Sequence, residues 1–251
     1  GNASSEYLLG SRVRFLNGTR GVIGKEYIDE SFNPPALEQL FIDVGCTSRS
    51  DCPLQVGDVA VLDCSLMTIG NRIVSKALDN RAGVAVLIAT IQQLSQGAAS
   101  IPNEVYFVFT VQAKVGPRGA AASAYGIDPD IGIAVDVTLS ADTPKAVKME
   151  MALGKGPAVK IKDQGLIADP RVIRWMIQTA QRHHVPYQME ILERGSTDAQ
   201  AIQITRAGVP AGCLSIPCRY WETQSGTVDL EDLINCVKLL DELIRNPVQW
   251  E

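Results

Sequence analysis

The chain has 251 residues, of which 46% are apolar and 20% are charged, so it can bury a sizeable core and is neither disordered nor collagen-like. Lys and Arg number 23 against 28 Asp and Glu, and the resulting formal charge of -5 argues against nucleic acid as a partner. The apolar runs are shorter than the roughly 20 residues that a bilayer span requires, so we expect a soluble globular protein with no membrane partner.

The cysteines and the first residues of the chain indicate the cellular compartment of the protein. The six cysteines form no Cys-x-x-Cys pair, and a chain with this apolar content does not depend on disulfides. The first residues lack the basic and apolar regions of a secretory signal. We therefore predict reduced thiols and a cytoplasmic location.

The first quarter of the chain is predicted to form short β-strands. Turn signals at Asn17-Gly18 and Gly57-Asp58 separate short runs of β-forming residues, and no helical period of useful length is present. The predicted strands cover residues 12–16, 22–25, 40–44 and 59–62. Residues 1–68 are accordingly predicted to form a small β-barrel-like module.

From residue 69 onward, strands alternate with amphipathic helices. Asp79 precedes a helix that ends at Gly97, Asp169 and Pro170 open a second helix, and a third begins near Asp229. The strands are predicted at residues 105–111, 131–137, 158–162, 187–191 and 213–216. Residues 69–251 therefore predict an α/β domain with a mixed sheet flanked by helices.

The two histidines are poor candidates for a shared metal. His183 and His184 are adjacent, and neighbouring residues point to different sides of a helix or strand. They precede Val185-Pro186, where a helix is expected to end. We interpret them as cations at a helix C-terminus, where positive charge is favourable.

Nucleotide-binding motifs are missing from the sequence. It contains no GxxxxGK[ST], no GxGxxG after a strand and no GxSxG elbow. The run Gly154-Lys155-Gly156-Pro157 is interpreted as a turn that leads into a strand, because Pro157 lacks an N–H donor and no helix follows.

Polar residues near predicted strand ends and helix starts suggest a crevice. Asp136 lies at the end of one strand, Gln112 follows another, and Asp79 precedes a helix. Ligands of open α/β sheets bind beyond the carboxyl ends of the strands. The structural alternative is that Asp79 caps its helix and that Asp136 accepts hydrogen bonds from loop amides.

Six motifs occur in order along the chain: ALDNRAG at 77–83, VQAKVGPRGA at 111–120, AVDVT at 134–138 with DTP at 142–144, LGKGP at 153–157, STDA at 196–199 and IPCRY at 216–220. Together they resemble one enzyme family, the co-catalytic metallo-aminopeptidases that form tetrahedral particles and are often labelled glutamyl or leucyl aminopeptidase or endoglucanase M. The segment before the motifs, including LFIDVG at residues 40–45, resembles the dimerisation domain of that family.

The resemblance implies a pair of divalent metals with a glutamate as general base. Asp79 matches the bridging carboxylate and Asp136 matches a terminal ligand, but the general-base position is Ala113 and the next ligand position is Lys114. The position of the C-terminal histidine ligand holds Glu222. The remaining family ligand, a histidine in a His-x-Asp motif, belongs to an opening segment that this chain is expected to lack.

These departures lead to a hypothesis about Lys114. Its protonated ammonium has no lone pair for a metal and repels a cation, whereas Asp79 and Asp136 repel each other without one. We expect the ammonium to occupy the volume of the metal and to pair with Asp79, Asp136 and Glu222. A solvent-facing lysine is the structural alternative.

The sequence therefore predicts a catalytically inactive homologue with a peptide-binding or assembly role and no cofactor. The alternative is a metal-dependent aminopeptidase or hydrolase with an altered carboxylate-rich site, taking one or two Zn, Co or Mn ions. Asp198 and Arg219 are further crevice candidates. Peptides and further copies of the chain are the expected partners, in a dimer or larger homo-oligomer, with Leu37, Leu40 and Phe41 as a candidate association face.

Overall fold

The computed structural model describes residues 4–27, 35–97 and 101–248. Within these ranges the chain forms six α-helices and a short 3-10 helix at Leu37–Gln39. The helices are α1 (Ser5–Leu8), α2 (Leu78–Gln96), α3 (Arg118–Ile127), α4 (Pro170–Arg182), α5 (Ala199–Gln203) and α6 (Leu230–Arg245). The strands are β1 (Arg12–Phe15), β2 (Arg20–Lys25), β3 (Leu40–Asp43), β4 (Ala60–Leu62), β5 (Met67–Ile69), β6 (Arg72–Ser75), β7 (Gly132–Leu139), β8 (Ala158–Lys162), β9 (Gln188–Ile191), β10 (Ala211–Arg219) and β11 (Gly226–Asp229).

The first four strands form an antiparallel sheet in the order β3-β2-β1-β4. Alternate side chains of β1 and β2, namely Val13, Phe15 and Ile23, form its small core. Between the described residues, β3 and β4 do not pair, so the sheet is open and the predicted barrel-like closure is wrong. Closure requires hydrogen bonds between the outer strands, which the sequence pattern of individual strands does not reveal. The division into domains near residue 68 stays a prediction.

The second sheet has seven strands in mixed orientation, as predicted. Its main path runs β5-β6-β11-β10-β8-β9, and β7 pairs with β10. β10 is central because it is parallel to β7 along eight residue pairs and antiparallel to both β8 and β11. This register places Ser215 of β10 beside Asp136 of β7.

The two faces of this sheet differ in chemistry. Along β10, Leu214 and Ile216 pack into the main core with α2, α4 and α6, whereas Cys213 points to the opposite face, near α5. The same alternation in β7 places Val137 in the main core and Asp136 on the opposite face. The sheet therefore carries an apolar face and a face with buried polar side chains.

One predicted strand is wrong. Residues 105–111 form no strand, although their apolar β-forming composition favoured one, and β10 is the only described partner of β7. A strand exists only where a neighbouring backbone completes its ladder, which local composition does not specify. The other predicted strands are confirmed to within three residues at either end, and the predicted bounds of β8 are the observed ones, whereas β10 extends further than expected.

The capped helices were predicted well. Asp169 accepts a hydrogen bond from the Arg171 amide at 2.8 Å and Asp229 accepts one from the Glu231 amide at 2.8 Å, as expected of N-caps. Helices α3 and α5 were missed because they are short, at 10 and 5 residues, and consist largely of small residues.

The predicted positions of His183 at a helix end and of the glycine turn before a strand are confirmed. His183 is the C-cap of α4, and its Nδ1 lies 3.2 Å from the Glu242 carboxylate of α6. The glycine turn before β8 is occupied from within the protein, since the amides of Gly154 and Gly156 both donate to Asp232 at 2.7 Å. These amides are therefore not available to a phosphate.

A helix that crosses a membrane must be both long and apolar. None of the helices in residues 4–27, 35–97 and 101–248 combines the length and the apolar character that a crossing requires.

Candidate functional site

The entry to α2 presents Asp79 to the crevice. Asp79 and Asn80 have non-helical backbone angles, so the regular helix begins after them. Asn80 caps the helix, because its Oδ1 accepts from the Gly83 amide at 3.1 Å while its Nδ2 donates to the Val135 carbonyl at 2.8 Å. The alternative interpretation of Asp79 as the cap is therefore wrong, and its carboxylate is available for other contacts.

The ammonium of Lys114 contacts this carboxylate. Lys114 Nζ donates to Asp79 Oδ2 in a close ion pair, and the side chains are 43% and 10% exposed respectively. The alternative of a lysine that only faces solvent is wrong, although its exposure leaves one side of the ammonium open. The other oxygen, Asp79 Oδ1, is buried and has no hydrogen-bond partner among the described residues.

Asp136 lies on the polar face of β7. The strand continues to Leu139, so this residue is inside the strand and not at its end, and its Oδ1 accepts from the Val137 amide at 2.8 Å. The pKa of Asp136 is raised to about 7, mainly by burial and also by the negative charge of Asp79, while the hydrogen bond from the Val137 amide and the Lys114 ammonium oppose this rise. Two carboxylates and one ammonium are therefore electrostatically coupled here.

Asp198 completes the crevice. Its negative charge also raises the pKa of Asp136, and its Oδ2 accepts a hydrogen bond from Thr110 Oγ1 at 2.7 Å. Thr110 was missed by the sequence analysis, since a residue 88 positions away in the chain gives no local signal. We use "the crevice" for Asp79, Lys114, Asp136 and Asp198.

Three other candidates have different surroundings. Glu222 is exposed and makes no hydrogen bond or ion pair with the described residues, so the expected pairing with Lys114 is wrong. Arg219 is held by Asp142 through two hydrogen bonds of 2.9 and 2.7 Å. Ala113 is exposed and offers a methyl group at the position that the resemblance assigns to the general base.

Backbone conformations near these positions are uncommon ones. Ala77, Gln112 and Tyr220 have φ values of 58, 63 and 54°, in the left-handed region that side chains other than glycine rarely adopt. Each lies one or two residues before Asp79, Ala113 or Glu222. Asp128, Lys145, His184 and Arg206 also have positive φ values away from these positions, so the conformation does not by itself identify a ligand site.

The donor set does not fit a pair of divalent metals. The Lys114 ammonium covers one oxygen of Asp79, Ala113 supplies no donor atom and Glu222 lies in solvent. Within residues 4–27, 35–97 and 101–248, no three His, Cys, Asp or Glu side chains are grouped so that they could hold a metal ion. Retention of Asp79 and Asp136 as ligand positions stays a prediction.

These features define an α/β protein with a carboxylate-lined crevice beside a central mixed sheet. A family model described as M42 glutamyl aminopeptidase matches residues 1–239. The chain is also 42% identical over 97% of its length to a protein of Acetivibrio thermocellus that is named as an aminopeptidase. The chain belongs to the M42 glutamyl aminopeptidase family.

Solved structures agree with this assignment. An aminopeptidase from the archaeon Desulfurococcus kamchatkensis is 40% identical, with a TM-score of 0.91 over 99% of this chain and 72% of that one. The Pyrococcus horikoshii TET1 peptidase, described as assembling into a tetrahedron or an octahedral shell, is 27% identical, with a TM-score of 0.86 over 97% of this chain and 74% of that one.

The chain spans only part of its relatives. It covers 73% of the Acetivibrio thermocellus protein and 72% of the lysyl aminopeptidase of Pyrococcus furiosus, to which it is 30% identical over 97% of its own length.

Members of this family typically depend on divalent metals. The ammonium of Lys114 beside Asp79 is therefore the distinguishing feature of the crevice.

Proposed function

We propose that this chain is a non-catalytic member of the M42 family that binds peptides in its crevice without hydrolysing them. The observation that carries the proposal is the ion pair between Lys114 and Asp79. An ammonium at this position repels divalent cations, and Ala113 offers no group that could accept a proton from water. Loss of both functions removes the main sources of rate enhancement in metal-assisted hydrolysis.

Peptide binding is supported by the charges that remain. The crevice carries the carboxyl groups of Asp79, Asp136 and Asp198 against one ammonium, and the Lys114 side chain is 43% exposed. An excess of carboxyl groups attracts a cationic group. The free N-terminal ammonium of a peptide is such a group, and it approaches from the exposed side of Lys114.

The proposal is tested by measuring binding and turnover on the same samples. A labelled tetrapeptide with a free N-terminus is titrated against the wild-type protein and Asp136→Asn, with its acetylated form as the matched ligand control. We expect binding of the free amine only, weakened in the variant, and an intact peptide after prolonged incubation with Zn²⁺, Co²⁺ or Mn²⁺. Chelator-sensitive release of the N-terminal residue would overturn the proposal.

A metal-dependent hydrolase with an altered site is the second candidate. The observation that favours it is the electrostatic coupling of Asp79 and Asp136, since carboxylates are ligands for divalent cations and the resemblance places both residues at ligand positions. In this case added metal would raise turnover of aminoacyl amides, and Asp79→Asn would abolish the increase. The same assay therefore separates the two candidates.

We further propose that copies of the chain assemble into a dimer or a larger particle. Support comes from its similarity to the TET1 peptidase and from Leu37 and Phe41, which are half or more exposed. Light scattering of the wild-type protein and Phe41→Lys tests this, with exposed Leu16→Lys as the control. A monomeric wild-type protein would contradict assembly.

A further inference from the structure

A groove lies between α4 and the end of α6, on the apolar-face side of the second sheet. It has a volume of about 380 Å³, within the range of ligand-binding pockets. Its lining includes three arginines, Arg171, Arg174 and Arg182, together with Trp175 and Pro247. We call it the arginine groove.

The arginines lie along one face of α4. Arg174, Gln178 and Arg182 are exposed at helical spacing, while Val172 and Met176 are buried against the sheet. Arg171, at the start of the same row, is held by both oxygens of Asp169 at 3.0 and 2.7 Å. In the arginine groove, Arg171 is therefore held in place by Asp169, and Arg174 and Arg182 follow it along α4.

Arg174 and Arg182 make no hydrogen bond or ion pair with any other residue of the described ranges. α4 contains no acidic residue, and the two acidic residues near the end of α6 are engaged by other side chains. Asp241 is bound by Arg245 at 2.8 Å and Glu242 lies 3.2 Å from His183. In a chain with a formal charge of -5, two unpaired guanidiniums in one groove form a local site for an anion.

The spacing of these cations favours an extended ligand. Eight residues of helix separate Arg174 from Arg182, which corresponds to about 12 Å along the axis. Residues four apart in an extended peptide lie about 13 Å apart on the same side. A compact anion such as phosphate would engage one guanidinium well and the other poorly, and the groove offers no loop of free backbone amides of the kind that binds phosphate.

The groove walls fit the remainder of a peptide. Trp175 is partly buried and donates through Nε1 to the Asn246 carbonyl at 2.8 Å, which fixes the ring beside Pro247. Trp175 and Pro247 can contact the peptide side chains that lie between two acidic residues of the ligand. Gln178 lies between Arg174 and Arg182 in the sequence of α4 and offers an amide to the peptide.

From this arrangement we propose that the arginine groove binds an extended acidic peptide segment whose two carboxylates, about four residues apart, pair with Arg174 and Arg182. Guanidinium groups bind carboxylates through two parallel hydrogen bonds, which gives the pairing a defined geometry. The groove is distinct from the crevice, because Asp136 lies on the other face of the sheet from the main core that α4 covers.

The test uses fluorescence anisotropy with a labelled heptapeptide blocked at both ends, so that the crevice cannot recognise its N-terminus. The probe has two glutamates four positions apart with threonine and valine between them. Control probes replace both glutamates by glutamine or place them next to each other. We expect binding of the first probe only, with an affinity that falls as salt is added.

Variants then locate the binding site. Arg174→Glu/Arg182→Glu should weaken binding by about tenfold or more, since both attractive pairs become repulsive. The control Arg12→Glu/Arg14→Glu makes the same charge change on exposed residues of β1 and should leave affinity unchanged within about twofold. Arg174→Gln/Arg182→Gln provides a milder change should the reversal disturb folding.

Three results would overturn the inference. These are equal affinity of the groove variants and the wild-type protein, absence of probe binding at low salt, and binding of inorganic pyrophosphate in the groove without binding of the acidic probe.

Discussion

Two lysines of this protein pair with carboxylates, and they differ in their exposure to solvent. Lys160 and its partner Glu190 are 0% exposed, and the Asp163 carboxylate lies 3.7 Å from the same ammonium. Lys114 is 43% exposed and pairs with Asp79 in the crevice. We call the first group, Lys160, Asp163 and Glu190, the buried cluster.

The two groups are linked by one strand. Thr138 of β7 donates to Glu190 at 2.6 Å, and Asp136, two residues earlier on the same face, lies in the crevice. Removal from water makes a charged pair depend on its partners, whereas contact with solvent allows water or a ligand to replace them. The buried cluster therefore serves stability, and the crevice is free to serve binding.

The largest effect is expected at the buried cluster. Lys160→Met should lower the free energy of unfolding by about 3–5 kcal/mol, because two carboxylates are left buried without a cation. Urea denaturation measures the change. The control Lys155→Met removes an exposed lysine and should change stability by no more than about 0.5 kcal/mol. Equal stabilities of the two variants would contradict a stabilising role of the buried cluster.

An intermediate effect is expected at the partly buried pair of Asp142 and Arg219. The hydrogen bonds of Arg219 lower the pKa of Asp142, so this carboxylate stabilises the fold above its unfolded pKa, near 4. Asp142→Asn should cost about 1–3 kcal/mol at neutral pH.

The sign of the pH dependence follows from the lowered pKa. Stability from this pair is fully present at neutral pH and is lost as the pH falls below about 4, where the carboxyl group is protonated first in the unfolded chain. Unfolding curves of wild type and Asp142→Asn should therefore converge on acidification. A constant difference across the pH range would contradict this interpretation.

The smallest effect on stability is expected in the crevice. Lys114→Met should change the free energy of unfolding by about 1 kcal/mol or less, because water screens the half-exposed ammonium. Exposed Lys148→Met serves as the control in the same urea titration. A loss as large as that of Lys160→Met would mean that the crevice pair is structural as well.

Much of the fold could be predicted from local patterns. Helices α4 and α6 carry both an N-cap aspartate and an amphipathic period, and β1 alternates in burial as its sequence suggests. Residues 105–111 have the composition of a strand but no ladder partner among the described residues, so their prediction failed.

The side-chain contacts also differ in whether the sequence could predict them. The contact of Lys114 with Asp79 could be anticipated, because the resemblance aligned both residues with ligands of one metal centre. The pairs Lys160–Glu190 and Thr110–Asp198 could not, since they join residues 30 and 88 positions apart through tertiary packing alone. No spacing rule in the sequence connects such residues.

Metal content measures the central claim most directly. Purified wild-type protein and the variant Ala113→Glu/Lys114→Glu are incubated with Zn²⁺, Co²⁺ or Mn²⁺, desalted and analysed for bound metal. The Lys114 ammonium should keep the wild-type protein nearly free of metal, and the variant, which exchanges the cation for carboxylates, should retain more. Stoichiometric metal in the wild-type protein that is lost after Asp79→Asn would contradict the account.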